Sequence, residues 1–290
     1  MGSNVIRNSR DRASSSARSI KVNWGAMTLN LLGLGFLAVI VGFPLINIFY
    51  QAFAAGIEAY VAAIQTPDAL HAIALTLIIM LVTVPLNTAF GILAAWLLAR
   101  HPIPGRSLIL GLIDLPLTIS PVIVGLMMIL LFSQVDSVFK EWVVALNLKI
   151  IFALPGMILV TVFITLPFVV REVLPALENM AMEQEEVAQT LGANSWQIFW
   201  RVILPNIRWA VLYGVILCTA RAMAEFGAVA VVSGRIIQQT NTLTLHVERT
   251  YMEYQTVAAF ASASLLTVVA LITIVSQEIL SRQKDDSKTK

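Results

Sequence analysis

The sequence predicts an all-α, polytopic membrane protein with six transmembrane helices, and three observations carry that expectation. The chain is 58% hydrophobic and 12% charged, with a mean hydropathy of +0.82, too apolar for a soluble domain. Six stretches are long enough to cross about 30 Å of hydrocarbon, which takes roughly 20 helical residues. No stretch alternates as barrel strands do, and open strands cannot satisfy their backbone in lipid. Residues 24–281 therefore read as one transmembrane domain.

In chain order, residues 1–23 are a polar, Ser- and Arg-rich tail with Arg7, Arg10, Arg12, Arg18 and Lys21 against the single acid Asp11. The composition fits a disordered cytoplasmic arm, the expected reading, and also resembles an organellar transit peptide. The apolar stretches follow at approximately Met27 to Tyr50, Ala72 to Ala99, Ser107 to Val135, Ile150 to Val170, Trp209 to Gly234 and Tyr254 to Gln277. Pro44, Pro85, Pro116, Pro121, Pro155 and Pro167 interrupt or cap several of them, so kinks are expected. Residues 282–290 form a short cytoplasmic C-tail.

Lys and Arg set the orientation. With the N-terminus inside, fourteen lie inside, in the two tails and at Arg100, Arg106, Arg171, Arg201 and Arg208. Only Lys140, Lys149, Arg235 and Arg249 lie outside, with Arg221 in the membrane, and this asymmetry puts both termini in the cytoplasm. The outer segments are short, which implies a separate protein to capture substrate.

Composition also excludes whole classes of function. A net charge of +2 is too small to suggest nucleic acid, which leaves membrane lipid as the surroundings. No lysine follows a glycine, so a P-loop is excluded, and no other cofactor motif is present. His71, His101 and His246 are far apart, which argues against a metal site, and reactive groups do not cluster at one depth as an enzyme would need. The lone Cys218 sits in an apolar run and reads as packing. Uphill movement would draw on a partner or an ion gradient.

Two stretches could line a path. In Asp114 to Gly125, Pro116 and Pro121 free backbone carbonyls while Thr118 and Ser120 add hydroxyls, although such hydroxyls more often bond their own helix. Asp114 is expected to cap its helix. Further on, Arg221 and Glu225 stand at i, i+4 in an apolar run, and an arginine at that depth normally faces protein or water. Either they form a structural ion pair, or Arg221 offsets the charge of a passing anion while Glu225 tempers the trap. Phe226 and Gly227 allow a neighbouring helix close.

The longest polar interruption of the second half, residues 177–205, reads as two short helices. Leu177, Met180, Ala181, Val187, Ala188 and Leu191 fall on one face, with Glu178, Glu183, Glu185, Glu186 and Gln189 mostly off it. Gly192 stops the first helix, Asn194 and Gln197 form a capping box for the second, and Pro205 ends it. Four glutamates close together favour a protein surface over an anionic leaflet.

The spacing of Glu186, Ala188, Gly192, Leu204 and Pro205 resembles the EAA loop of binding-protein-dependent ABC-importer permeases, with Val187 and Val202 in place of an alanine and an isoleucine. With DLPLTISPVIVG, PFVVREVLP at Pro167 to Pro175, LPNIRWAVLYGV and RAMAEFGAVAVVSG, the chain from about Trp24 to Ser281 resembles the sulfate/thiosulfate branch, CysW type. The resemblance implies a type I ABC-importer permease fold in a bacterial inner membrane. It also implies alternating access, coupling through the EAA loop to a CysA-type ATPase dimer, a CysT-type second permease and a periplasmic sulfate-binding protein. A molybdate or tungstate permease would share fold and loop. A secondary anion transporter would lack an ATPase and usually shows internal repeats, which are not evident here.

Overall fold

The computed structural model describes residues 24–133, 139, 141, 145 and 149–288, and among these every regular element is helical. The chain divides into two compact units at Asn47 and Ile48. In the first, α1 (Trp24–Leu37) runs through a π turn (Ala38–Gly42) into α2 (Phe43–Phe53), whose later residues belong to the second unit. Leu29, Leu32 and Phe36 are exposed, and a helix apolar all round suits hydrocarbon.

The second unit continues with α3 (Ile57–Ile64), α4 (Pro67–Arg100), α5 (Arg106–Thr118), α6 (Pro121–Phe132) and α7 (Leu154–Glu178). Then come α8 (Glu183–Thr190), α9 (Ser195–Ile198), a π turn (Phe199–Ile203), α10 (Leu204–Met223), α11 (Gly227–Ser233), α12 (Leu243–Met252) and α13 (Thr256–Lys288). The longest described helix is α4. Thr66 caps it by accepting from the Ala69 N–H, Pro67 occupies the first turn where no N–H is needed, and Asp68 and Arg100 suit the two ends of the dipole. Its 34 residues span about 51 Å, enough to carry features on both faces of a bilayer.

Helix α7 packs against α4 and α10, and each of these helices meets Val169 with a glycine. A Cβ added at Gly91 would lie 2.7 Å from the Val169 Cβ, and one added at Gly214 would lie 3.1 Å from its Cα. Only glycine lets the three backbones meet there. One turn away on α4, the fully buried Asn87 donates from Nδ2 to Thr165 Oγ1 at 2.7 Å and to the Val162 carbonyl at 3.1 Å. Two apolar cores lie at opposite ends of this seam. Val173, Leu177, Ile198, Ile203 and Ile207 fill one, and Leu75, Ile79, Val160, Val229 and Leu245 fill the other.

Among the described residues five helices are long and apolar enough to cross a membrane, with a sixth crossing if the bent pair α5 and α6 counts as one. Within its described part the expected span from Ser107 to Val135 is a bent pair: α5 and α6 meet at 109°. Ser120 is extended (ψ 132°), as the residue before a proline tends to be, so the helix breaks at Pro121. Val135 lies outside the described residues. The fifth span also shifts. It runs from Ser195 to Met223 instead of Trp209 to Gly234, because the helix passes through Pro205 and breaks at Ala224 to Phe226. Of the C-tail, residues 282–288 continue α13; the N-terminal tail lies outside the described residues.

Candidate coupling segment and membrane path

The segment after α7 is built by local rules. Glu183, Glu185 and Glu186 occupy the first turn of α8, where the helix dipole favours carboxylates. At its other end the Gly192 N–H donates to the Gln189 carbonyl at 2.9 Å and the Ala193 N–H to the Ala188 carbonyl at 3.0 Å, a Schellman closure. Gly192 has φ +86°, yet nothing lies within 4 Å of where its Cβ would stand. The backbone, not space, demands glycine. The capping box forms as expected: the Gln197 N–H donates to Asn194 Oδ1 at 2.8 Å, and the Asn194 N–H to Gln197 Oε1 at 3.0 Å.

Three expectations change. The chain turns between α7 and α8, so the single apolar face splits: Leu177 and Met180 are buried, whereas Val187 and Leu191 are exposed, Leu191 at 82%. Pro205 does not end the second helix. In the preceding π turn the Leu204 N–H reaches back to the Phe199 carbonyl, a wider loop that makes room for a ring with no N–H, and α10 continues. Asn206 Nδ2 covers the Val202 carbonyl at 2.8 Å. Asp114 is not a cap; it lies inside α5 and accepts from Arg171 Nε at 2.8 Å.

Ion pairs fasten this end of the unit. Arg100 of α4 reaches Glu185 of α8, Arg106 of α5 pairs with Glu178 of α7, and Asn206 Nδ2 donates to Gln184 Oε1 at 2.9 Å. Among the described residues Glu186 makes no ion pair and stands exposed. Sequence reading did not single out Arg100. Its place in the last turn of α4 is the signal that could have marked it, though Glu185 cannot be named from spacing. Beside the segment, Leu93 and Trp96 of α4 face Trp196, Phe199 and Trp200 across an apolar groove of about 620 Å³.

The break after α10 holds the other charged feature. Arg221 Nη1 lies 2.7 Å from Glu225 Oε2, with Glu225 almost wholly buried and the arginine side chain 31% exposed. The other carboxylate oxygen accepts from the Ala228 N–H at 3.0 Å, so Glu225 also caps α11, while Thr244 Oγ1 donates to its carbonyl at 3.0 Å. A Cβ at Gly227 would lie 3.2 Å from the Pro121 Cβ, which sets this break against the elbow between α5 and α6. The elbow that carries Thr118 and Ser120 thus packs against the start of α11, the helix that Glu225 caps. Both are exposed; the Thr118 hydroxyl donates to the Leu115 carbonyl at 2.9 Å.

Comparison with known proteins follows the same outline. Residues 87–285 match the family described as binding-protein-dependent transport system inner membrane component. The sulfate transport system permease protein CysW of Synechocystis sp. is 50% identical over 257 residues, covering 89% of this chain and 93% of that protein. The sulfate transport system permease protein CysT of Escherichia coli is 35% identical, covering 83% and 87%. A solved chain of a bacterial alginate ABC transporter, in complex with an alginate-bound periplasmic protein, superposes with a TM-score of 0.75 over 91% of this chain and 96% of that chain at 20% identity, which shows the fold. Transporters of this kind combine membrane components with a binding protein and an ATPase. The chain belongs to the binding-protein-dependent transport system inner membrane components, as a multi-pass permease subunit and not an enzyme.

Proposed function

We propose that the chain carries sulfate or thiosulfate inward across a bacterial inner membrane, as one permease of an ATP-driven importer that works by alternating access. The reading rests on family membership together with relatives named for sulfate transport at about half identity across nearly the whole chain. Its proposed partners are a CysA-type ATPase dimer, a CysT-type second permease and a periplasmic sulfate-binding protein. Each ligand favours one arrangement of the bundle, and the work lies in linking them.

The observation that carries the mechanism is how residues 183–205 are held. Glu185 is tied to Arg100, while Glu186, Val187 and Leu191 stand exposed on the same short helix. One face is thereby fixed to the membrane helices, and the other is free for the ATPase. Glu186 offers a charged contact, Ala188 keeps the helix narrow and supplies the carbonyl that closes it, and Gly192 makes the turn. Leu204 and Pro205 carry the motion into α10 through the π turn, and Arg221 stands in the last turn of α10.

Arg221 is proposed to face the anion. Glu225 uses one oxygen on it and the other on α11, which leaves the guanidinium held but only part-covered. Thr118 and Ser120 would add neutral hydroxyls from the elbow opposite. The test is uptake by the reconstituted complex beside its ATPase rate. Arg221→Gln should lose uptake while hydrolysis persists, and unchanged uptake would remove Arg221 from the path.

A further inference from the structure

The end of the unit opposite the coupling segment holds a cavity of about 440 Å³, whose lining includes Arg235, Asn241, Glu248, Arg249 and Glu253. Its frame is rigid. Thr240 Oγ1 donates to the Ser233 carbonyl at 2.6 Å and accepts from the Ile236 N–H at 3.1 Å, and the Leu243 N–H donates to Thr76 Oγ1 of α4 at 2.9 Å. Asp68, at the start of α4, accepts from Gln238 Nε2 at 2.9 Å and from Arg249 Nη2 at 2.8 Å. Within this frame Arg235 and Gln238 adopt left-handed backbone, with φ of 55° and 56°. Non-glycine residues keep that conformation only where their surroundings enforce it, and such places gather at ligand sites.

The donors of this cavity are not all used. Asn241 is only 3% exposed, yet its Nδ2 has no partner, and Arg249 Nε is likewise buried and unpaired. Buried donors seldom go without an acceptor. At the mouth, the Arg235 guanidinium touches Glu248 Oε2 at 3.0 Å and remains half exposed. The charged side chains of the lining balance, Arg235 and Arg249 against Glu248 and Glu253, and the groups left over are donors, which neither a cation nor an apolar ligand would satisfy. Unused Asn and Arg donors suit an oxyanion.

We propose that this cavity is an oxyanion subsite, where sulfate released by the binding protein first meets the permease. It rests on the sulfate reading above. Glu248, engaged by Arg235, and Glu253, which accepts from Gln255 Nε2 at 3.2 Å, keep the pocket from becoming a trap. Helix α12 connects it onward, since Leu245 and Arg249 line the cavity while Thr244 of the same helix bonds the Glu225 carbonyl.

The test soaks crystals of the assembled complex in selenate, a heavier isostere of sulfate, and measures sulfate uptake by the same complex. The expected result is a selenium anomalous peak within the cavity lined by Asn241 and Arg249, absent in Asn241→Leu. KM for sulfate uptake should rise about tenfold in both Asn241→Leu and Arg235→Gln. The second variant changes an exposed side chain and so does not threaten folding. Docking of the sulfate-loaded binding protein should be unaffected. A wild-type complex that imports sulfate but shows no peak overturns the inference, as does an unchanged KM in Arg235→Gln, or weakened docking with the peak retained. A peak in a complex that imports no sulfate keeps the subsite and sinks the transport reading.

Discussion

Arg100 donates from Nε to Glu185 Oε1 at 2.7 Å, joining the last turn of the longest membrane helix to the first turn of the short helix proposed to meet the ATPase. The two side chains are 6% and 14% exposed.

Removing one partner of such a pair leaves a charge nearly sealed from water. Arg100→Gln should therefore destabilise the protein by about 3 kcal/mol, near the lower end for a buried pair because Glu185 keeps some access to solvent. The double variant Arg100→Gln, Glu185→Gln should recover most of that loss and still transport poorly. Thermal unfolding of the four members of the cycle measures the first claim, and uptake measures the second.

Gly192 separates conformation from space. Since its Cβ would meet nothing, Gly192→Asn should retain most transport, because asparagine tolerates left-handed backbone, whereas Gly192→Val should insert normally and fail to transport. Equal uptake by the two variants would remove the turn from the mechanism.

Charge and stability should part company at Arg221. Arg221→Gln strands the buried Glu225, so both stability and uptake fall; adding Glu225→Gln relieves the stranded charge and should restore stability without uptake. Recovery of uptake in the double variant would mark the pair as structural only.

His246 gives the unit an acid limit. It is buried in α12, with Nδ1 beside Arg249 Nη2 at 3.3 Å. Burial first, and the Arg249 cation second, hold its pKa below the ordinary 6.5, against the opposite pull of Asp68 and Glu253. Below that pH the unfolded chain takes up a proton that the folded chain resists. The stability due to neutral His246 is therefore complete above 6.5 and declines as pH falls through the lowered folded value. Thermal midpoints measured from about pH 8 to about pH 5 should fall, and His246→Gln should flatten the slope.

What the sequence made legible was local. The Gly192 turn and the Asn194 capping box depend on neighbours within a few residues, and both form. Pro121 marked the break in the third stretch, but its 109° bend depends on what packs against it, including Gly227. Pro205 misled because a proline reads as a terminator unless a π turn precedes it, and no residue pattern announced one. Of the neighbouring carboxylates Glu185 and Glu186, only the fold could decide which one Arg100 takes. The donors around Asn241 come from a loop and a helix whose meeting no periodicity foretells.

The most direct test is radiolabelled sulfate uptake into proteoliposomes holding this chain with the CysA-type ATPase and the CysT-type permease, with the sulfate-loaded binding protein supplied on the face opposite the ATPase. The account predicts accumulation that requires ATP and the binding protein and is lost in Gly192→Val. Sulfate accumulation by this chain without the ATPase, driven by an ion gradient, would contradict it.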